Sequence, residues 1–407
     1  MELSPRTRTV TALVALLLLC VHYRFADAQC VASPSPITSL GTAEHRTERI
    51  DSTQRRATLT RLGSRALRAR LRVVSQHPCL WTAVVRDQKL RPVQTLSPAD
   101  FVGSGFLWTN RINSSQLTIE MYGCSGEQST ILAVDRLISI PDTVPLKRPA
   151  YYSLKDFGRP DWKELYAESG LAETYPERVI SGDSIGFLML SSDEPLAAWT
   201  CTGFMLTDTL FLTNWHCGAP EEDPRRAPEG KFWTEDVIQN AILDLSWDSG
   251  SVSREFQVLR VEQPNRELDF AVLRVKPLGK QAPIATSALA NWAPETGDHV
   301  YIIHHPLAMK KQYSAACRVG VGTPHLFANW VDSTRATDFT HDCDTEGGSS
   351  GAPVFAKTGE IIGLHHLAYE FDPASCKVVS ENKAVSMSEI LKVLDPELRQ
   401  ALTIHTH

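Results

Sequence analysis

Short runs of alternating apolar and polar residues recur along much of the chain. Gln116-Leu117-Thr118-Ile119-Glu120-Met121-Tyr122 places apolar side chains at every second position, the period of a half-buried strand. Comparable runs between Arg72 and about Ile140, separated by Asn, Ser and Gly clusters, predict a small β-rich module over residues 72–145. Cys79 and Cys124 bracket this module and are expected to staple it. From Val179 onward the runs become more apolar. Gly203-Phe204-Met205-Leu206, Leu210-Phe211-Leu212-Thr213 and Phe270-Ala271-Val272-Leu273-Arg274-Val275, with turn signals between them, predict barrel strands. Only the tail, Ser386 to Leu402, has helical spacing, with Ile390, Leu391, Leu394 and Leu398 on one face.

Other segments read as connections or processing signals. The apolar run Val10–Val21 follows Arg6 and Arg8 and precedes the small-x-small site Ala26-Asp27-Ala28. It is too short to cross ~30 Å of hydrocarbon. Residues 1–28 are therefore expected to be a signal peptide removed before Gln29, giving a secreted (extracellular or periplasmic) protein without a membrane span. Residues 29–71 hold Pro34, Pro36 and a dense arginine series, with an Arg55-Arg56 pair, and predict a basic linker or pro-segment. Residues 146–178 read as a second linker, with a short helix around Asp161 to Glu173.

Composition narrows the function classes. Hydrophobic residues make up 43% and charged residues 22%, the balance of an ordinary globular chain. A net charge of −6 argues against a protein that coats nucleic acid, which must neutralise phosphates. Of nine cysteines, eight remain once Cys20 leaves with the signal peptide, an even number that suits disulfides in an exported protein. They form no C-x-x-C pairs, so no structural zinc site is expected, and spacing alone does not decide their pairing. Asn113-Ser114-Ser115 is a glycosylation acceptor in a host that glycosylates.

Three segments carry candidate chemistry. Thr213-Asn214-Trp215-His216-Cys217 closes an apolar strand, and Leu268-Asp269-Phe270-Ala271-Val272-Leu273 opens another. Gly347-Gly348-Ser349-Ser350-Gly351-Ala352-Pro353-Val354 is a glycine- and serine-rich loop. Each is a weak signal by itself. Together, in the order His, Asp, Ser, the region from about Val179 to Leu394 resembles the chymotrypsin-like serine peptidases, especially the bacterial glutamyl and lysyl endopeptidases. Thr345-Glu346-Gly347-Gly348-Ser349-Ser350-Gly351, with Gly363-Leu364-His365 after it, is the most specific match. Ile303-His304-His305-Pro306, Lys311 and Ser314 resemble a segment of the lysyl branch. The likeness covers just over half of the chain and leaves out residues 29–145.

That resemblance implies an all-β fold: two orthogonal Greek-key β-barrels over residues 179–403 with a C-terminal helix, preceded here by the small β-rich module. It implies a serine endopeptidase in which His216 takes the proton of Ser350, and Asp269 holds the imidazole in one tautomer. The backbone N–H groups of Gly348 and Ser350 would form the oxyanion hole. Ser349 competes as nucleophile, but only Ser350 stands in the G-x-S-G frame; Asp244 and Asp248 compete with Asp269. Cys201–Cys217 matches the family's histidine-loop disulfide, and Cys317–Cys343 is the second expected pair. No cofactor or metal is implied, and the partner is a peptide or protein substrate.

Specificity reads two ways. His365 and Thr345 match positions that bind a glutamate side chain, whereas Glu346 matches an acidic position that favours lysine. The fifteen-residue step from Ser350 to His365 is that of the glutamyl branch and favours an acidic substrate. Arg178-Val179-Ile180-Ser181-Gly182 looks like a zymogen cleavage site, although Ser349 stands where the activation bridge needs an aspartate; an ordinary strand entry fits the same residues. A reading from a different class is a catalytically silent, protease-shaped binding protein whose N-terminal module engages a partner or surface.

Overall fold

The structure, a computed structural model, describes residues 42–75, 79–101, 105–123, 130–141, 161–165, 181–193, 197–220, 228–248, 253–279, 282–320, 327–328, 334–368, 370–372, 377–380 and 382–404. The signal-peptide segment, residues 178–180, Cys30, Cys124 and Cys376 lie outside them. Among the described residues no helix is long and apolar enough to cross a membrane.

Eight strands build the N-terminal module: β1 (Thr42–Ile50), β2 (Arg56–Thr60), β3 (Ser64–Ser75), β4 (Trp81–Asp87), β5 (Pro92–Leu96), β6 (Phe106–Trp108), β7 (Gln116–Gly123) and β8 (Ile131–Pro141). They form two four-stranded sheets, β1-β8-β3-β6 and β2-β7-β4-β5, that enclose one apolar core. Residues 42–71 thus supply two strands and most of a third, and are not the linker expected from their arginines. The reason lies in β3, where Leu67, Ala69 and Leu71 enter the module core while the alternate residues face the next domain. Arg68, on that second face, bonds Asp244 at 2.9 Å and also pairs with Glu255; Arg70 bonds Asn240 at 2.6 Å. Arg111 adds a second cation to Asp244, and its N–H donates to Glu255. Burial alone would raise the pKa of Asp244, but Arg111 and Arg68 hold it below its usual value.

Past the module, the short strand β9 (Lys163–Glu164) stands where a helix was expected; it pairs with an edge of the second barrel described below. The first barrel comprises β10 (Ile185–Ser192), β11 (Ala197–Thr207), β12 (Leu210–Thr213), β13 (Ile242–Asp244), β14 (Glu255–Asn265) and β15 (Phe270–Pro277). It closes in the order β10-β11-β12-β15-β14-β13. A short helix, α1 (Glu235–Asn240), capped by the Thr234 hydroxyl, precedes β13.

The second barrel is built on β16 (His299–His304), β17 (Gln312–Arg318), β18 (Phe327–Ala328), β19 (Ala336–His341), β20 (Pro353–Ala356), β21 (Ile361–Leu367) and, after the hairpin β22 (Glu370–Asp372) and β23 (Lys377–Ser380), β24 (Asn382–Ser386). Its sheet runs β18-β19-β24-β21-β20-β16-β17-β9. The sheet curls back on itself where Val319 bridges His341 and Gly320 N–H bonds Thr340 O at 2.9 Å. The Cys317–Cys343 disulfide pins the same seam.

A shared apolar cluster joins the two barrels: Phe204, Leu212 and Phe270 from the first meet Ile303, Phe355 and Leu364 from the second. The expected C-terminal helix is two helices, α2 (Met387–Val393) and α3 (Pro396–Ile404). Pro396 explains the break, since it disfavours helical backbone at Asp395 and suits the first position of a new helix. Ile390, Leu394 and Leu398 still pack on the shared cluster.

Candidate active site

His216 leaves the end of β12 in a single helical turn, His216–Gly218. Three contacts fix that turn. Cys217 is disulfide-bonded to Cys201 of β11, Trp199 Nε1 donates to Cys217 O at 2.8 Å, and Trp233 Nε1 donates to Trp215 O at 2.8 Å. Trp215 stacks on Phe232 with ring centroids 3.9 Å apart, so the turn rests on a rigid aromatic floor.

Asp269 meets His216 from the start of β15. Its Oδ1 accepts the His216 backbone N–H at 2.9 Å and its Oδ2 lies 2.7 Å from His216 Nδ1. Asn214 Nδ2 donates to Asp269 O at 2.8 Å. Asp269 adopts φ +47°, a backbone region costly for a side-chain-bearing residue, and is fully buried. Burial would raise its pKa, yet the two imidazoles beside it, His216 and His366, hold it below the usual carboxylate value. The competing acids are committed elsewhere: Asp244 to Arg68 and Arg111, and Asp248 to Lys311 at 3.6 Å.

The serine loop explains its own glycines. Gly348 has φ +97° and a Cβ there would come within 2.7 Å of His305 O; Gly351 has φ +86° and a Cβ would come within 2.1 Å of Thr202 O. Ser349 N–H bonds Glu346 O and Gly351 N–H bonds His365 O, while among the described residues the Gly348 and Ser350 N–H groups are left without an acceptor. The two serines differ in kind. Ser349 is fully buried, its hydroxyl 2.8 Å from His304 Nδ1 and accepting Glu346 N–H at 3.1 Å. Ser350 is partly exposed, and its carbonyl accepts Thr202 N–H at 2.8 Å. Thr202 O in turn accepts the Thr213 hydroxyl, at the root of the His216 turn. The structure therefore brings His216, Asp269 and the Ser350 loop to one place between the barrels.

Beneath the loop lies a set of buried histidines that the sequence did not reveal as a group. His341 Nε2 stands 3.1 Å from His365 Nδ1, and burial drives the pKa of His304 and His341 to about 3 and that of His365 well below its usual value. These rings are neutral. Thr345 donates its hydroxyl to Asn382 Oδ1 at 3.1 Å. Asn382 opposes His341 in the sheet, which brings Thr345 near the His341–His365 pair. Glu346 sits half-buried; burial, with Asp344 adding to it, pushes its pKa up to about 7.

Cys79 is disulfide-bonded, and its expected partner Cys124 lies outside the described residues. Among the described residues, Cys201, His216 and Cys217 bring candidate metal-ligand atoms together, but both sulfurs are spent in the disulfide.

Residues 201–364 match the trypsin-like peptidase domain family. The matched segment, under half of the chain, lies within the all-β, two-barrel part of the fold. Among individual proteins, the chain is 23% identical over 212 residues to the mouse serine protease FAM111A, covering 45% of this chain and 34% of that one. It is 26% identical over 180 residues to the uncharacterized protein y4fB of Sinorhizobium fredii, covering 40% of this chain and 24% of that one. The chain thus spans about a third or less of the length of these relatives. Among solved structures, the active form of the Rv3671c protease of M. tuberculosis superposes with a TM-score of 0.39 at 17% identity, over 59% of this chain and 91% of that one.

Proposed function

We propose that the protein is a secreted serine endopeptidase that cleaves peptide bonds with Ser350 as nucleophile, His216 as general base and Asp269 as its orienting carboxylate. The observation that carries this reading is the paired contact of Asp269 with His216, which leaves His216 Nε2 to receive a proton. Ser350 Oγ attacks the scissile carbonyl carbon as His216 Nε2 takes the hydroxyl proton. The carbonyl π pair moves to oxygen, where the Gly348 and Ser350 N–H groups receive the negative charge, each donor worth ~2.7–4 kcal/mol in rate. Collapse breaks the C–N bond, His216 returns its proton to the leaving amine, and an acyl-Ser350 remains. Water then repeats the sequence with roles reversed, releasing the acid and free Ser350.

For the residue before the scissile bond we favour an acidic side chain. That preference requires the tautomer in which His341 Nε2 donates across its 3.1 Å contact to His365 Nδ1, which keeps the His365 proton on Nε2 as a neutral donor. The test of the function is reaction of the purified protein with a peptidyl phosphonate, followed by peptide mass mapping. Labelling at Ser350 with parallel loss of casein cleavage is expected. An unlabelled Ser350 in a folded protein would favour the silent binding protein instead.

A further inference from the structure

Asp269 has a second imidazole against it. Oδ2, the oxygen that faces His216 Nδ1, is also 3.3 Å from Nδ1 of His366, which comes from β21 in the other barrel. On its far side His366 presents Nε2 to Asp338 Oδ2 on β19, again at 3.3 Å. The other Asp338 oxygen accepts the Thr337 hydroxyl at 2.8 Å. Four side chains therefore stand in line, His216–Asp269–His366–Asp338, and the last three have no exposed side-chain surface.

Two buried carboxylates on opposite sides of one imidazole favour its charged form. A neutral imidazole has one N–H and one lone pair, so between two carboxylates it would turn the lone pair toward one of them. The imidazolium instead donates Nδ1–H to Asp269 and sets positive charge at ion-pair distance from Asp338, 3.3 Å from Nε2. We infer that His366, backed by Asp338, is a positioning residue for the reaction proposed above: as an imidazolium it holds Asp269 ionised and fixed in its orientation toward His216. The inference rests on the assignment of Ser350, His216 and Asp269 as the reacting set. It also gives Asp269 a tie to the second barrel, so that the carboxylate is held from both sides of the cleft.

The surroundings agree. Burial disfavours a charged His366, but the Asp338 and Asp269 carboxylates outweigh it and push its pKa up to about 9. The other titratable groups around it are His341 on β19, His365 beside it on β21 and His216 across Asp269; Lys383 is the charged residue of β24 nearest in register. Burial keeps His341 and His365 neutral, so they add no competing charge at neutral pH.

The sign of the pH effect follows. His366 is charged below about pH 9 and loses its proton above it, so the positioning contact is present at neutral pH and lost on the alkaline side. The experiment uses the full mature protein and its phosphonate-competent form. In Asp338→Asn the imidazolium loses one partner, and the alkaline fall in kcat should move about one pH unit or more lower, with KM little changed. In His366→Gln, kcat at pH 7.5 should drop about 10- to 100-fold and the alkaline fall near pH 9 should vanish. Retention of wild-type kcat and pH profile by both variants, in a wild type that labels at Ser350, would overturn the inference while leaving the triad standing. Failure of wild-type labelling would instead overturn the triad. If either variant does not fold, nitrogen-15 NMR of the wild-type histidines decides. Two protonated nitrogens on His366 at pH 7.5 support the inference, and a single one refutes it.

Discussion

Asp269 grips His216 twice, by the backbone N–H at 2.9 Å and by Nδ1 at 2.7 Å, so the carboxylate fixes both the position of the turn and the rotation of the ring. A single side-chain contact would leave the imidazole free to pivot about its Cα–Cβ bond. The double contact defines which nitrogen faces the cleft, and the first expected outcomes concern the group it serves.

Ser350→Ala should reduce kcat by about a million-fold, leaving a residual rate from the oxyanion donors and substrate binding. Ser349→Ala should keep most of the turnover but lower stability by about 1–3 kcal/mol, because it strips His304 Nδ1 and Glu346 N–H of their buried partner. Active-site titration and thermal unfolding of both variants check this; the reverse pattern would exchange the roles of the two serines.

Reducing or removing the Cys201–Cys217 bridge should cost roughly 3 kcal/mol, as expected for a closed loop of this length. Activity should fall with it, since the bridge anchors the residue next to His216. Denaturant melts of the Cys201→Ala/Cys217→Ala protein measure the first effect and peptide hydrolysis the second.

Glu346 gives the fold a pH-dependent cost. Its folded pKa, about 7, exceeds the unfolded value, so the folded state binds more protons and stability falls as pH rises between about 4.5 and about 7. Glu346→Gln should therefore gain on the order of 1–3 kcal/mol at pH 8 and little at pH 4. The same variant should cleave after glutamate faster at pH 8, because an anion near the pocket is gone. A peptide-library digest and melts at both pH values report the two effects; cleavage mainly after Lys or Arg in the wild type would make Glu346 the determinant of a basic preference.

Arg68→Ala should destabilise the protein by about 3–5 kcal/mol, since it leaves Asp244 and Glu255 buried with one cation fewer. Arg68→Met combined with Arg111→Met, Asp244→Leu and Glu255→Leu, which removes every charge of the cluster together, should recover part of that loss. Differential scanning calorimetry of the single and combined variants gives the comparison.

What the sequence revealed depended on how local each signal was. His216, Asp269 and Ser350 each sit in a contiguous strand–turn segment that is weak alone, and their order and likeness to a known family are what marked them in the sequence. Arg68 of β3 was read as part of a basic linker because its partners, Asp244 and Glu255, lie more than 170 residues away, and only the fold makes that pairing visible. His366 and Asp338 were missed for the same reason: nothing in either strand marks a histidine as poised between two acids. The tail was read as one helix because its apolar spacing survives the break at Pro396.

The N-terminal module does more than lean on the first barrel. Arg65 donates to Ala308 O at 2.9 Å, and the neighbouring Leu307 N–H bonds Gly347 O at 2.7 Å, next to Gly348. The module thus reaches the serine loop through a backbone segment it shares with the second barrel. A chain nicked between residues 141 and 161 would consequently not become two proteins. Its halves would stay clasped through buried ion pairs and travel as one particle. The cut would change the number of polypeptides while leaving the module's contacts with both barrels in place.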